Sequence, residues 1–322
     1  MTGQDGAQRE PPLADDRRAC RRLLREGSKS FHAASLLLPR RVRGDARAVY
    51  AWCRVADHAV DQTDRPAEAL ESVRTGLERV YVGRPQGPVE RAFADTVFRN
   101  RISRDVPEAM LEGFEWDATG RSYESRSQVV DYCVRVGSTV GAMMTIVMDR
   151  REPETLAAAC RLGVAMQLTN IARDVGEDAR AGRLYLPQEA LRAAGLTAAE
   201  WLESPAPVDG IRGAVRALLD DADELYAAAW PGIEGLPARC RPAIRAAALV
   251  YAQIGQKVRD ADCDSVTTRA WTAKTEKARL LARSFGHRPG AWKGSVPSES
   301  EPSAVALADD RAAFLVEAAA GS

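Results

Sequence analysis

The chain lacks a surplus of charge of either sign. Its 322 residues include 45 lysines and arginines and 45 aspartates and glutamates, so the formal net charge is zero. A balanced charge gives no overall basic surface for nucleic acid, and the sequence has no acidic tail. We therefore expect no nucleic-acid partner.

Long apolar runs are also missing. No stretch approaches the roughly 18 apolar residues that a membrane-spanning helix needs. Residues 1–16 are polar and contain no apolar core of a secretion signal. These two absences predict a cytoplasmic protein without a transmembrane segment.

Cysteine pairs and strand patterns are absent as well. The six cysteines form no CxxC pair, and a chain of this size without a signal peptide is not expected to depend on disulfides. No regular alternation of apolar and polar residues marks a strand, and no glycine-rich turn follows one to seat a dinucleotide. The sequence therefore predicts an all-α protein.

Apolar residues at helical spacing recur along most of the chain, which is 45% hydrophobic. They predict a disordered tail (1–14), a single helical domain (15–285) and a C-terminal tail with room for one short helix (286–322). Within the domain we expect, among others, helices from Asp45 to Thr63, from Ser127 to Met148 and from Arg269 to Arg283. The short helix in the C-terminal tail would run from Ala304 to Ala320.

An acidic row follows Pro153 in the predicted helix that carries Gln167, Asn170, Asp174 and Asp178, which are three, four and four residues apart. Such steps keep side chains on one face of a helix. A row of carboxylates and amides on a mostly apolar helix is costly to bury unless its charge is compensated. Hard divalent cations compensate it, because they take oxygen ligands. The alternative is a solvated polar face.

Asp57 and Asp61 form a second acidic row, four residues apart on a segment with a helical apolar stripe. Like charges at this spacing repel each other and destabilise a helix. An arginine stands near each row, Arg54 near the first pair and Arg173 beside Asp174. Mg²⁺ usually bridges one or two carboxylates to substrate phosphates. Two facing acidic rows therefore suggest a metal cluster that binds diphosphate and stabilises it as it leaves.

With both rows in place, the sequence resembles the squalene and phytoene synthases, and most closely the bacterial phytoene synthases among them. Either acidic motif alone is a weak signal, whereas the two in this order are specific. The matching segments span roughly residues 15 to 285 and are Gly27 to Phe31, Val49 to Asp61, Tyr132-Cys133, Val136 to Gly141, Asn170 to Asp178, Gly182 to Pro187, Tyr251, Arg269 and Lys277.

The resemblance implies the isoprenoid-synthase fold, a helical bundle around a central cavity. It implies a prenyltransferase that joins two geranylgeranyl diphosphates through prephytoene diphosphate to phytoene in carotenoid biosynthesis, with Mg²⁺ or Mn²⁺ and without NADPH. The implied metal positions are Asp57, Asp61, Asn170, Asp174 and Asp178. Catalysis would rest on the four aspartates together with Arg54 and Arg173. The implied substrate contacts are Ser28, Ser30, Tyr50, Arg54, Gln167, Asn170, Arg173, Tyr251 and Arg269. Because the product is a lipid, a peripheral membrane contact stays open.

Several residues keep two interpretations. Ser28 and Ser30 are either diphosphate contacts or an ordinary helix N-cap. Gly137 and Gly141 serve either helix packing or a cavity wall, and these are compatible. Arg269 and Lys277 are either ligand contacts or surface cations. Arg183 and Tyr185 lie in a flap-like loop beside the second motif.

The chain departs from the family at two places. His58 stands where a second aspartate is common, one residue off the Asp57–Asp61 face, so it is either a solvent-side substitution, which we favour, or a group that tunes metal affinity. Ser122-Tyr123 replaces an Arg-Tyr pair, with Arg121 displaced by one position.

Two rival functions remain at this point. One is a squalene or dehydrosqualene synthase that uses farnesyl diphosphate, because chain-length selection depends on a cavity depth that the sequence does not give. The other is a non-catalytic helical assembly subunit, against which stands the intact set of metal positions.

Overall fold

The structure is a computed structural model, described over residues 14–61, 63–286 and 303–321. Every regular element in these ranges is a helix. They are α1 (Ala14–Gly27), α2 (Lys29–Ser35), α3 (Arg40–Asp61), α4 (Pro66–Tyr81), α5 (Gly87–Asn100), α6 (Asp105–Ala118), α7 (Arg126–Cys133), α8 (Thr139–Val147), α9 (Pro153–Arg180), α10 (Gln188–Ala193), α11 (Ala198–Glu203), α12 (Asp209–Ala229), α13 (Arg241–Asp260), α14 (Lys274–Gly286) and α15 (Ala304–Ala320). A π-helical segment, Val134–Ser138, joins α7 to α8, and a 3₁₀ segment, Trp230–Gly235, follows α12.

Helix α9 runs through the centre of the bundle. It has 28 residues, begins at a proline whose fixed φ suits the first helical position, and packs against α8, α12, α13 and α15. Leu156, Val164 and Leu168 on this helix are fully buried in the main hydrophobic cluster. Because α9 carries one of the two acidic rows, that row is held on a helix that is packed from several sides.

The helix predicted from Ser127 to Met148 is confirmed in its bounds, but Val134–Ser138 in its middle is a π-helical turn between α7 and α8. Gly137 meets Gly163 of α9 backbone to backbone, and a Cβ at Gly137 would lie 2.5 Å from the Gly163 carbonyl oxygen. The Ser138 hydroxyl donates to the Cys160 carbonyl across the same contact, at 2.9 Å. This close backbone approach to α9 occurs within the π-helical turn. Such turns are frequent at functional sites.

The last helix predicted before residue 286 also needs correction, because it begins at Lys274 and leaves Arg269 in the preceding loop. The Glu276 carboxylate accepts a hydrogen bond from the Ala273 amide at 2.7 Å, which caps the helix at that point. The loop is tied to α9, since the Gly176 amide donates to the Ser265 carbonyl at 2.9 Å.

The described part of the predicted C-terminal tail is folded rather than a tail. Helix α15 packs along α9 and buries Ala304, Ala308, Ala312, Leu315 and Ala319 in the main core. Arg161 of α9 binds Asp309 with two hydrogen bonds of 2.7 Å each. The helix predicted from Ala304 to Ala320 is therefore confirmed, and it belongs to the packed core rather than to a separate tail. The predicted disorder over 1–13 and 287–302 lies outside the described residues, and Ala14 already belongs to α1.

All six cysteines are unpaired. None of the described helices combines the length and the apolar character that crossing a bilayer requires.

Candidate active site

A cavity of about 1000 Å³ lies among α3, α6, α8, α9 and α13. Every residue to which the resemblance assigned a site lines this one cavity, including Arg183, Tyr185 and Lys277. The rest of its wall is mainly apolar and includes Phe31, Met110, Phe114, Val140, Met144, Leu162, Met166, Ile233, Leu236, Ile244 and Ile254. Gly137, Gly141 and Gly163 are part of the wall, so these glycines serve both helix packing and the cavity.

Helix α3 carries the first acidic row. Its opposite face, with Val49, Trp52, Ala56 and Val60, is buried in the core, which turns Asp57 and Asp61 toward the cavity. Arg54 donates to Asp57 at 2.7 Å. Arg183, from the loop after α9, donates to Asp61 at 2.6 Å and so links the two motifs across the cavity.

Helix α9 carries the second row. The Asn170 amide donates to Gln167 at 3.2 Å. Asp174 accepts from Arg173 and from Arg269, each at 2.7 Å. Arg269 also pairs with Glu177 at 2.9 Å, which joins the loop before α14 to the acidic face.

In each row, the charge of one aspartate raises the pKa of another. Burial, followed by the charge of Asp61, raises the pKa of Asp57. Burial, followed by the charge of Asp174, raises the pKa of Asp178 to about 7. Asp174 differs, because the hydrogen bonds from Arg173 and Arg269 outweigh its burial and lower its pKa. The site therefore holds partly exposed carboxylates that repel one another, and the surrounding arginines neutralise only part of their charge.

No three His, Cys, Asp or Glu side chains within the described residues form a ready-made metal cage. The donor set nevertheless fits a hard divalent cation, because it offers carboxylate and amide oxygens on two facing helices with repulsion left to neutralise. Mg²⁺ often takes only one or two carboxylates and completes its coordination with water and substrate phosphates. A complete protein cage is therefore not required.

A carboxylate on a third helix, which was not predicted from the sequence, also lines the cavity. Asp117 of α6 accepts hydrogen bonds from the Tyr132 hydroxyl at 2.9 Å and the Tyr185 hydroxyl at 2.8 Å. Burial raises its pKa to about 7 despite these two donors. The available signal was its spacing, since Asp117 follows Met110 and Phe114 on the inward face of the helix.

Two residues that depart from the family lie apart from the acidic rows. His58 is exposed and is not part of the described cavity lining. The Arg121 guanidinium lies 3.9 Å from the centroid of the Trp116 ring, a cation–π contact that occupies it.

The N-terminal serines line the cavity, and one of them also caps a helix. Ser28 accepts a hydrogen bond from the Phe31 amide at 3.2 Å, so the N-cap interpretation holds for Ser28 whatever else it contacts. Gly27 must be small, since a Cβ there would lie 2.6 Å from the Tyr50 hydroxyl. Burial and the charge of Lys29 lower the pKa of Lys277, so these two cations lie near each other at the cavity.

Residues 24–279 match the family described as squalene/phytoene synthase. The chain belongs to that family. It is 50% identical over 277 residues to a phytoene synthase of Cereibacter sphaeroides, covering 83% of this chain and 78% of the relative. It is also 50% identical over 273 residues to a phytoene synthase of Rhodobacter capsulatus, covering 84% and 80%.

A solved dehydrosqualene synthase with bound ligand superposes with a TM-score of 0.76 at 30% identity, covering 84% of this chain and 96% of that one. The family match confirms the family that the sequence predicted. This structural likeness confirms the predicted all-α isoprenoid-synthase fold.

Proposed function

We propose that the chain is a phytoene synthase, which condenses two geranylgeranyl diphosphates to phytoene through prephytoene diphosphate in carotenoid biosynthesis. The observation that carries the proposal is one cavity lined by two acidic helix faces and otherwise mainly apolar. Two bacterial relatives with the name phytoene synthase, at 50% identity over most of their length, support the choice of product.

Three arginines are placed to bind diphosphate. Arg54, Arg173 and Arg269 line the cavity and hold aspartates of the two rows. Guanidinium groups bind phosphate oxygens in the same bidentate manner as carboxylates, so these arginines can transfer hydrogen bonds from aspartate to substrate. Lys29 and Lys277 add two further cations at the cavity.

Asp57, Asp61, Asn170, Asp174 and Asp178 would hold Mg²⁺ or Mn²⁺. Bound divalent ions neutralise the charge that develops on a leaving diphosphate. The protein supplies oxygen ligands on α3 and α9, and Arg54 and Arg173 donate hydrogen bonds that keep the oxygens of Asp57 and Asp174 oriented.

The apolar wall would protect the carbocations. One substrate loses diphosphate, the double bond of the other attacks the resulting allylic cation, and loss of a proton from the reacting carbon closes the cyclopropyl ring of the intermediate. A second loss of diphosphate, a rearrangement and the loss of a proton then give phytoene. Water would quench these cations, and the wall excludes it. A volume of about 1000 Å³ is at the upper end for a small-molecule site, as two long chains require.

The reaction would end with proton loss, so it would need no nicotinamide cofactor. Released diphosphate is a suitable proton acceptor. We further propose a cytoplasmic location with a peripheral membrane contact, because the product is an apolar hydrocarbon.

A second candidate is a dehydrosqualene or squalene synthase that uses farnesyl diphosphate. The structural likeness to a solved dehydrosqualene synthase favours keeping it. The two candidates share the acidic rows and the arginines, so the substrate chain length separates them.

Incubation of the purified chain with Mg²⁺ and either geranylgeranyl or farnesyl diphosphate, with and without NADPH, tests the proposal. We expect a C40 hydrocarbon with a central double bond from geranylgeranyl diphosphate, unchanged by NADPH. A C30 product made preferentially would favour the second candidate, and a product with a saturated centre only with NADPH would indicate a reductive enzyme. No hydrocarbon from either substrate would favour a non-catalytic subunit.

A further inference from the structure

The region where α1, α2 and α3 meet collects basic side chains. Burial lowers the pKa of His32, and the charges of Arg47, Arg21 and Arg25 lower it further. Burial also lowers the pKa of Arg47, with Arg21 and Arg43 acting in the same direction. The charges that act on His32 and Arg47 are mainly those of arginines, so basic side chains predominate around these two groups.

Two buried donors or acceptors in this cluster lack partners. The Nε atom of Arg47 and the Nδ1 atom of His32 are both inaccessible and have no hydrogen-bond partner within the described residues. A buried polar atom without a partner costs free energy. An anion bound between these cations would accept the hydrogen bond of Arg47 and relieve the repulsion between its neighbours.

Large apolar side chains are exposed beside the basic cluster. Leu36, in the turn between α2 and α3, is 46% exposed, and its carbonyl accepts from Arg43 at 2.7 Å. The next residue, Leu37, and Leu281 of α14 pack against the same cluster of buried alanines, which brings α14 close to α2. Phe285 near the end of α14 is 64% exposed.

The loop before α14 adds a large exposed aromatic residue and reaches the cavity. Trp271 is 72% exposed and also lines the cavity. Lys274 and Arg279 are exposed on the helix that follows. Cations mixed with exposed aromatic and aliphatic side chains are typical of surfaces that lie in the interface of an anionic membrane.

We propose that this region, the α2–α14 surface (Arg21, Arg25, Leu36, Arg47, Trp271 and Phe285), docks on a bilayer of anionic phospholipid, with a headgroup phosphate among the three arginines. Leu36 and Phe285 enter the boundary between headgroups and acyl chains. Docking in this way brings the cavity edge at Trp271 to the lipid, which gives an apolar product a route out. That consequence rests on the proposed function, whereas the binding does not.

Vesicle co-sedimentation of the full chain without substrate tests the surface. Each basic residue near an anionic surface strengthens partitioning about fivefold, so Arg21→Gln with Arg25→Gln should weaken binding to phosphatidylglycerol-containing vesicles about thirtyfold. The matched control removes the same charge elsewhere, with Arg65→Gln and Arg104→Gln, whose side chains pair with Glu68 and Glu108. We expect the control to bind within about twofold of wild type, since surface charges far from the lipid are screened.

A separate variant, Phe285→Ser, should weaken binding without changing charge, and its thermal unfolding shows that it is folded. Neither Arg21 nor Arg25 belongs to the cavity lining, so the double variant should keep its turnover in detergent. The proposal would be overturned if both pairs of arginine substitutions weakened vesicle binding equally. It would also be overturned if the wild type bound pure phosphatidylcholine vesicles as well as anionic ones, or bound no vesicles at all. Binding of inorganic phosphate alone would instead assign the cluster to a free anion.

Discussion

Asp178 has no hydrogen bond or ion pair from its side chain to an arginine in the described structure, unlike the three other aspartates of the two rows. Burial and the charge of Asp174 raise its pKa from 3.8 to about 7. Between pH 3.8 and about pH 7, the folded state therefore keeps a proton that the unfolded state has released. By linkage, the free energy of unfolding falls as pH rises through this window.

Asp178→Asn should remove that penalty. In buffer with a chelator, we expect the variant to unfold at a temperature a few degrees above wild type at pH 8, with the difference vanishing near pH 4. Thermal unfolding followed by circular dichroism across the pH range measures it. Asp310→Asn is the matched control, because it makes the same substitution at an exposed carboxylate. A variant less stable than wild type at pH 8 would contradict the account.

Asp57→Asn should lower kcat/KM by about a hundredfold or more while leaving the fold intact, because a neutral amide keeps the shape of the side chain but cannot neutralise a divalent ion. Steady-state kinetics at saturating Mg²⁺ measures the effect. The neighbouring change His58→Asp is the control. It adds a carboxylate at an exposed position off the cavity, so activity should persist.

If Asp57→Asn kept a turnover near that of wild type, the acidic row on α3 would not be part of the metal site. A large loss in His58→Asp, or a changed preference between Mg²⁺ and Mn²⁺, would instead show that His58 takes part in it.

At the scale of elements, the contact between the π-helical segment and α9 leaves no room for a side chain. A Cβ at Gly137 would lie 2.5 Å from the oxygen and 2.9 Å from the carbon of the Gly163 carbonyl, and backbone atoms cannot rotate away. We expect Gly137→Ala to lower the free energy of unfolding by about 1–3 kcal/mol or more. Chemical denaturation measures the change.

Gly213→Ala is the matched control for this prediction. Gly213 lies in α12, and a Cβ there meets nothing within 4 Å. The same substitution should stabilise the protein by about 0.4–1 kcal/mol, because alanine lowers the entropy of the unfolded chain. Equal effects of the two alanines would mean that the Gly137–Gly163 contact is not close in solution.

Elements differed in how far the sequence could predict them. Helices α3 and α9 follow from periodicity, because an apolar face opposite an acidic one leaves little choice of orientation. The π-helical turn cannot be predicted from periodicity, because it depends on where the backbone of α9 lies. The start of α14 depends on one side chain, Glu276, that caps it.

The same division applies to the candidate site. The two acidic rows could be predicted because each repeats at helical spacing. The bond from Arg183 to Asp61 could not, since it joins residues that lie 122 positions apart. Asp117 was missed because its two tyrosine partners come from other segments of the chain.

At the scale of the whole molecule, the proposed reaction depends on three features that belong to different helices. In the proposed reaction, the acidic faces of α3 and α9 would hold the metal that binds diphosphate, the arginines would bind its oxygens, and the apolar wall would protect the cations that its departure leaves. If this is correct, both substrates lose diphosphate in one cavity, and neither loss occurs without divalent metal.

The most direct measurement is therefore the stoichiometry of the reaction. Purified protein with geranylgeranyl diphosphate would be assayed for hydrocarbon and for released diphosphate, with Mg²⁺ and with a chelator. The account predicts two diphosphates released for each phytoene formed, without NADPH, and neither product when the metal is removed. Release of diphosphate without hydrocarbon, or hydrocarbon formed at an undiminished rate in the chelator, would contradict it.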